Sequence, residues 1–278
     1  MDKIRAIHWY FVAVALTASL LSASAAVASP RHVLILHSYH PGYPRTDRVM
    51  AGIQEVFSAS NQDIRLHVEY LDTKRHPDPE YFSNILDAIL HYKLDGRSFD
   101  LVLLTHNEAL NFALVHRHDL FSGTPLVFGA VNGFDRNTLV LSDWPPLTGV
   151  IERPDFEGVM RLALRFDPKL EKIVAIGSSR DTSGRLEHKA LQEMARRFED
   201  RVRTVFWNDL SAETLAERLK NLGPRSAVIL TGTVFDQSGN PLTPAEACHL
   251  VRDNSKVPIY SLWDVYLGEG IVGGRLVD

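Results

Sequence analysis

Runs of four to six apolar residues recur along this chain, each emptying into a short polar loop that leads to a stretch with apolar residues every three or four positions. The first run, Val33 to Leu36, lacks polar alternation and reads as a strand buried on both faces. It leads into His37-Ser38-Tyr39-His40-Pro41-Gly42-Tyr43-Pro44, and then a helix is expected from Asp47 to about Ala59, with Val49, Met50, Ile53, Val56 and Phe57 on one face. A strand over Ile64 to Tyr70 and a charged loop follow. Asp78 and Pro79 then mark the start of a helix from Tyr81 to about Tyr92. Phe99 to Leu104 is the next doubly buried strand, ending at Thr105-His106-Asn107 before a helix to about Leu120, and Thr124 to Val131 is the fourth, ending at Asn132. Strands alternating with helices of this length mean parallel βαβ units.

The pattern breaks between about Arg136 and Asp155, around Trp144-Pro145-Pro146, with a short strand from Leu147 to Ile151 behind it. The crossing between two lobes is placed there. A second alternation then begins: helices are expected over 156–166, 182–198, 212–222 and 244–253, and strands over 172–176, 202–207, 227–230 and 259–262. Thr243-Pro244-Ala245-Glu246 carries the pattern of a capping box. The expected fold is α/β, two Rossmann-like lobes with parallel sheets and a cleft between them: residues 29–145 form the N-terminal lobe and 146–278 the C-terminal one.

Residues 1–28 stand apart. Lys3 and Arg5 precede an apolar run from Trp9 to Leu21, and small residues end at Ala26-Val27-Ala28, the three zones of a cleaved secretory signal peptide. The run is shorter than the roughly 20 residues that span a bilayer. Removing the segment takes away two cations and one anion, moving the formal charge from −4 to −5. This balance, with no basic block, argues against nucleic acid as a partner. The single cysteine, Cys248, has no partner for an internal disulfide, so an exported, periplasmic fold must stand on its core.

In open α/β sheets ligands sit at the carboxyl ends of the strands. The loops there offer His37, Ser38, Tyr39, Thr105, His106, Asn107 and Asn132 from the first lobe, and Ser178, Ser179, Asp181, Thr231, Trp263 and Asp264 from the second. Taken singly, Asn107, Ser179 and Asp181 read as helix N-caps; their recurrence at strand ends is what suggests ligand contacts. Helices starting after Asn107 and Asp181 would turn free N–H groups toward the cleft. His37, His40, Asp72, His76 and His106 suggest an exported metal-dependent hydrolase as the alternative of another class, but they lack a compact metal motif, so neither metal ligands nor catalytic residues are assigned. His116-Arg117-His118 reads as a solvated helix end. No G-x-S-x-G elbow, dinucleotide fingerprint or phosphate loop is present, and no cofactor is expected.

LHSYHPGYPRTD, YLDTKRHPDPEYF, FDLVLLTHNEAL, VFGAVNGFD and IYSLWDVYLGEGIVGG together resemble the periplasmic-binding-protein-like sensor domains of bacterial receptors, related to the ABC transporter substrate-binding family of type I periplasmic-binding fold. The resemblance spans Arg31 to Val277. It implies a bilobed, non-enzymatic receptor that closes on a small polar solute, an amino acid, purine or similar, with Tyr39 and Trp263 placed to stack a planar group. The implied partner is a membrane signalling protein, as in a two-component system, or, for an importer, an ABC permease. Family members continue past the Gly273-Gly274 strand with elements that return to the first lobe. With the chain ending at Asp278, the C-terminal part is expected to be incomplete and the first lobe to expose apolar surface.

Overall fold

The computed structural model describes residues 29–78, 80–134 and 146–277. The expected signal peptide, the break around Trp144-Pro145 and Pro79 lie outside them.

Val33 to Leu36 lie at the centre of β1 (Arg31–His37), which is flanked by β2 (Ile64–Tyr70) and β3 (Leu101–Thr105). All four are at most 4% exposed, as a strand covered on both faces requires. Beyond β3 come β4 (Leu126–Asn132) and β5 (Leu147–Glu152), giving one parallel sheet in the order β2-β1-β3-β4-β5. The second sheet is built from β6 (Lys172–Gly177), β7 (Arg203–Asn208), β8 (Ser226–Leu230), β9 (Ile259–Trp263) and β10 (Gly273–Val277), in the order β7-β6-β8-β9-β10. The two orders correspond strand for strand. In each sheet the chain reverses direction between its first and third strands, and this switch point is where α/β sheets hold ligands.

The helices are α1 (Pro44–Ser58), α2 (Asp87–Leu94), α3 (His106–Val115), α4 (Phe156–Phe166), α5 (Thr182–Arg196), α6 (Ala212–Lys220) and α7 (Pro244–Asn254). A π-helical turn, Tyr81–Leu86, leads into α2. Two separate apolar cores form, one per lobe, around Leu34, Leu36, Leu104 and Phe112 and around Val174, Ile229, Val251 and Leu262.

Three expectations are corrected. The lobe boundary was placed at 145/146, but β5 is hydrogen-bonded to β4, so the first sheet runs to Glu152 and the chain crosses after it. The first helix starts at Pro44, ahead of the expected Asp47, because proline at its first turn costs no hydrogen bond; the Asp47 carboxylate accepts from Gly42 N–H in the preceding turn. Helix α3 stops at Val115, where His116 leaves helical geometry, short of Leu120. The capping box at Thr243 and Glu246 forms with both of its reciprocal bonds. Val56, Ile85, Ile89, Tyr92, Val115 and Val150 of the first lobe and Phe166, Leu267 and Val272 of the second stand in solvent. Among the described residues no helix is long and apolar enough to cross a membrane.

Candidate functional site

The carboxyl ends of β1, β3 and β4 face those of β6, β8 and β9 across a cavity with an empty volume of about 500 Å3, counting its open mouth. Its wall joins Tyr39, Tyr43, Arg45, Lys74, His106, Asn132 and Glu152 from the first lobe to Ser178, Asp181, Ser183, Gly184, Glu187, Thr231, Thr233, Trp263 and Tyr266 from the second.

Helix α5 is the principal bridge. Asp181 caps it through Oδ1, which accepts from Gly184 N–H at 2.7 Å, and turns Oδ2 to Lys74 Nζ of the other lobe at 2.6 Å. A side chain at Gly184 would strike Ser178 O, so glycine lets the helix approach the β6 loop. The next two residues also reach across: Thr182 N–H donates to Glu108 Oε1 at 2.9 Å, and Ser183 Oγ lies 3.1 Å from Tyr39 Oη and 3.4 Å from Asn107 Oδ1. At the rim, Arg48 forms a forked pair with Asp264 at 2.5 and 3.1 Å. Arg45 pairs with Glu152 and lies over the Trp263 ring, 4.6 Å from its centroid; Lys74 lies 4.9 Å from the Tyr39 centroid. One face of each stacking candidate therefore already carries a cation.

Burial alone would lower the Lys74 pKa, but the Asp181 carboxylate outweighs it and raises it well above the ordinary lysine value, so the ammonium stays charged. Burial raises Glu108 above the usual carboxyl range, and the nearby Asp181 charge adds to it. Glu187 is pushed up to about 8, chiefly by burial and against the pull of Lys74. Arg45 and Lys74 each hold a carboxylate partner, and among the described residues Glu187 is the cavity carboxyl with no cation in ion-pair range.

His106 is the most unusual residue of the wall. Its backbone is left-handed, with φ 66, which is uncommon outside glycine, and the ring is buried with neither nitrogen partnered. Burial first, and then the Arg45 and Lys74 charges, hold its pKa well below the usual histidine value, so it faces the cavity as a neutral donor and acceptor. Asn132 Oδ1 is a third buried, unpartnered atom on the same wall.

Seven of the thirteen residues read from the strand ends line this cavity: Tyr39, His106, Asn132, Ser178, Asp181, Thr231 and Trp263. The other six stand behind it or at its edge. His37 Nδ1 lies 2.8 Å from Thr105 Oγ1, and Ser38 Oγ donates to Thr105 O and accepts from Ala109 N–H, so these three fasten β1 to β3. Asn107 is not a cap; its amide clasps the backbone of Asn132, donating at 2.8 Å and accepting at 3.1 Å. Ser179 N–H donates to Asp209 Oδ1, and Asp264 serves the rim. Sequence reasoning missed Arg45, between the first loop and the helix expected from Asp47, and Lys74, in the charged loop after the second strand. It also missed Glu187, Ser183 and Tyr266. Glu187 sits six residues into α5, and a carboxylate at an interior helix position gives no sign that its face is buried. Of the histidines weighed for a hydrolase, His40 and His76 lie 3.3 and 3.7 Å from Asp72, but Arg75 grips both Asp72 oxygens, and His37 and His106 are placed elsewhere.

Neither a scan of protein-family models nor a search of curated proteins gives a match. Similar solved structures are found. An ABC domain from Streptococcus pneumonia in complex with L-Trp superposes with a TM-score of 0.63 at 16% identity, over 90% of this chain and 80% of its own. A conserved domain protein from Vibrio cholerae gives 0.61 at 14% identity, over 87% of this chain and 78% of its own. A ligand-free, open substrate-binding protein with adhesive properties from Clostridium difficile gives 0.55 at 13% identity, over 87% and 79%. With its two parallel five-stranded sheets in matching order, the chain has the type I periplasmic-binding-protein fold.

Proposed function

We propose that this chain is an extracytoplasmic receptor for a small polar solute, an amino acid, a purine or a similar molecule, and that it works by closing its two lobes around that solute. The observation that carries the reading is the set of buried polar atoms left without partners on the cavity wall: both His106 ring nitrogens and Asn132 Oδ1. Leaving such groups unsatisfied costs about 1–3 kcal/mol each, a cost that a bound solute would remove. The surplus carboxyl of Glu187 favours a solute that brings a donor, an ammonium or ring N–H, and Tyr39, Trp263 and Tyr266 favour a planar body. The L-Trp of the pneumococcal neighbour is a solute of this kind. Among the described residues no hydroxyl of the wall is paired with a histidine base, which supports binding over hydrolysis.

A ligand that spans both lobes stabilises the closed state by its differential affinity, and a membrane signalling partner would read that shift, with residues 1–28 directing export. Transport is the second reading, favoured by the ABC domain and substrate-binding protein among the similar structures; an adjacent permease gene would support it. The test is a thermal-shift screen against amino acids, purines, small carboxylates and sugars. A solute at a hundredfold excess over its Kd adds about 2.7 kcal/mol to the folded state. A reproducible shift with one amine- or N–H-bearing class is expected. A cooperative melt that no class moves would overturn the receptor reading.

A further inference from the structure

Two aspartates and two histidines outside the cleft form a closed ring of contacts. Asp87 and His91 lie one turn apart on α2, His116 ends α3, and Asp119 is in the turn that follows. This is about 15 Å along α3 from the cavity, at a 1.5 Å rise per residue. One ligand atom from each of Asp87, His91 and His116 can be chosen so that all three lie within 4.8 Å of one another.

The orientation within the ring is informative. Asp119 Oδ2 lies 2.9 Å from His91 Nε2 and 3.1 Å from His116 Nδ1, both in hydrogen-bond geometry, so it fixes those two nitrogens as the N–H positions. In a neutral His116 ring this leaves Nε2 with a free lone pair, whereas His91 Nδ1, 3.0 Å from the Asp87 carbonyl, offers one only once the proton it donates there is displaced. Both stand beside Asp87 Oδ1, at 3.3 and 2.8 Å, yet that buried oxygen has no aligned hydrogen bond. Ligands of one ion aim at the ion and not at each other. Metal–ligand distances of about 2.0–2.2 Å with ordinary coordination angles bring neighbouring ligand atoms to roughly 3 Å apart, out of line. The His116 ring is also held by Phe112, 4.4 Å away between centroids.

We propose that Asp87, His91 and His116 bind a divalent transition-metal ion of the zinc class, with Asp119 orienting both imidazoles as an outer carboxylate. In the metal-free chain a proton on His91 Nδ1 is bonded to the Asp87 carbonyl, 3.0 Å away; the ion displaces protons from the ring nitrogens it takes. Two nitrogens and one oxygen suit zinc, and the carboxylate behind the histidines matches the usual support of such ligands. The site pins α2 to the end of α3 and does not depend on what the cleft binds.

The test is zinc titration of the chain, free of tag histidines, by calorimetry, with metal analysis after dialysis. One zinc per chain is expected, with a rise in Tm. His91→Ala and His116→Ala should each lower the affinity at least a hundredfold, and Asp119→Asn by about 10–100-fold, as for other outer-shell partners. Should His116→Ala fail to fold without its contact to Phe112, the more exposed His91→Gln carries the same expectation. No zinc bound below millimolar concentration, or wild-type zinc affinity in the His91 and Asp119 variants, would overturn the proposal and leave the four residues as an ion-pair network only.

Discussion

In each lobe the second strand is followed by an aspartate in left-handed backbone, Asp72 at φ 55 after β2 and Asp209 at φ 57 after β7, yet the two carboxylates serve different ends. Asp209 accepts from Ser178 Oγ and Ser179 N–H and shapes the loop that carries the second lobe's hydroxyls into the cleft. Asp72 is gripped by Arg75 and fixes the turn from which Lys74 projects. The same divergence holds for the whole wall. The first lobe brings Arg45 with its partner Glu152, Lys74 and the neutral His106, whereas the second brings Asp181, Glu187 and hydroxyls. The two lobes, alike in strand order, are drawn together through the buried Lys74–Asp181 pair, which leaves the Glu187 carboxyl of the wall without a cation among the described residues.

The largest effect should come from breaking that pair. Lys74→Met leaves Asp181 buried without its cation and is expected to cost about 3–5 kcal/mol in denaturant unfolding. Lys74→Met combined with Asp181→Asn should recover most of it, because asparagine still caps α5. Glu187 sets a pH slope. Between pH 4.5 and 8 the unfolded chain has released this proton while the folded chain retains it, so stability falls as pH rises through that window, by a contribution on the order of 5 kcal/mol. Glu187→Gln should flatten this slope in melts at pH 5 and 8, whereas an unchanged slope would place the burial penalty elsewhere. Asn107→Ala strips two partners from the Asn132 backbone and is expected to cost about 1–3 kcal/mol. Arg48→Ala at the solvated rim should cost no more than about 1 kcal/mol, and less still in high salt.

The frame of the fold was legible because it rests on patterns that local chemistry dictates: doubly buried runs such as Val33 to Leu36, and the Thr243 capping box. The position of β5 was not, since a six-residue strand whose burial is shallow carries the same local signal whichever sheet it joins. Strand-end logic found Tyr39, His106, Asn132 and Trp263 but could not tell wall from scaffold. His37 and His106 lie at the ends of neighbouring strands, and only their pairing shows that one ring is tied to Thr105 while the other is left free. Lys74 and Glu187 escaped because their roles depend on a partner in the opposite lobe or on burial there, and no spacing within one segment records that.

The most direct test of a solute held by both lobes is calorimetric titration of the solute found by the thermal screen into two variants of the cavity wall, His106→Ala in the first lobe and Glu187→Gln in the second. Each is expected to lower affinity at least tenfold while the chain still melts cooperatively. Wild-type affinity in either variant would mean that the solute does not bridge the lobes there, and would contradict closure across this cavity as the mechanism.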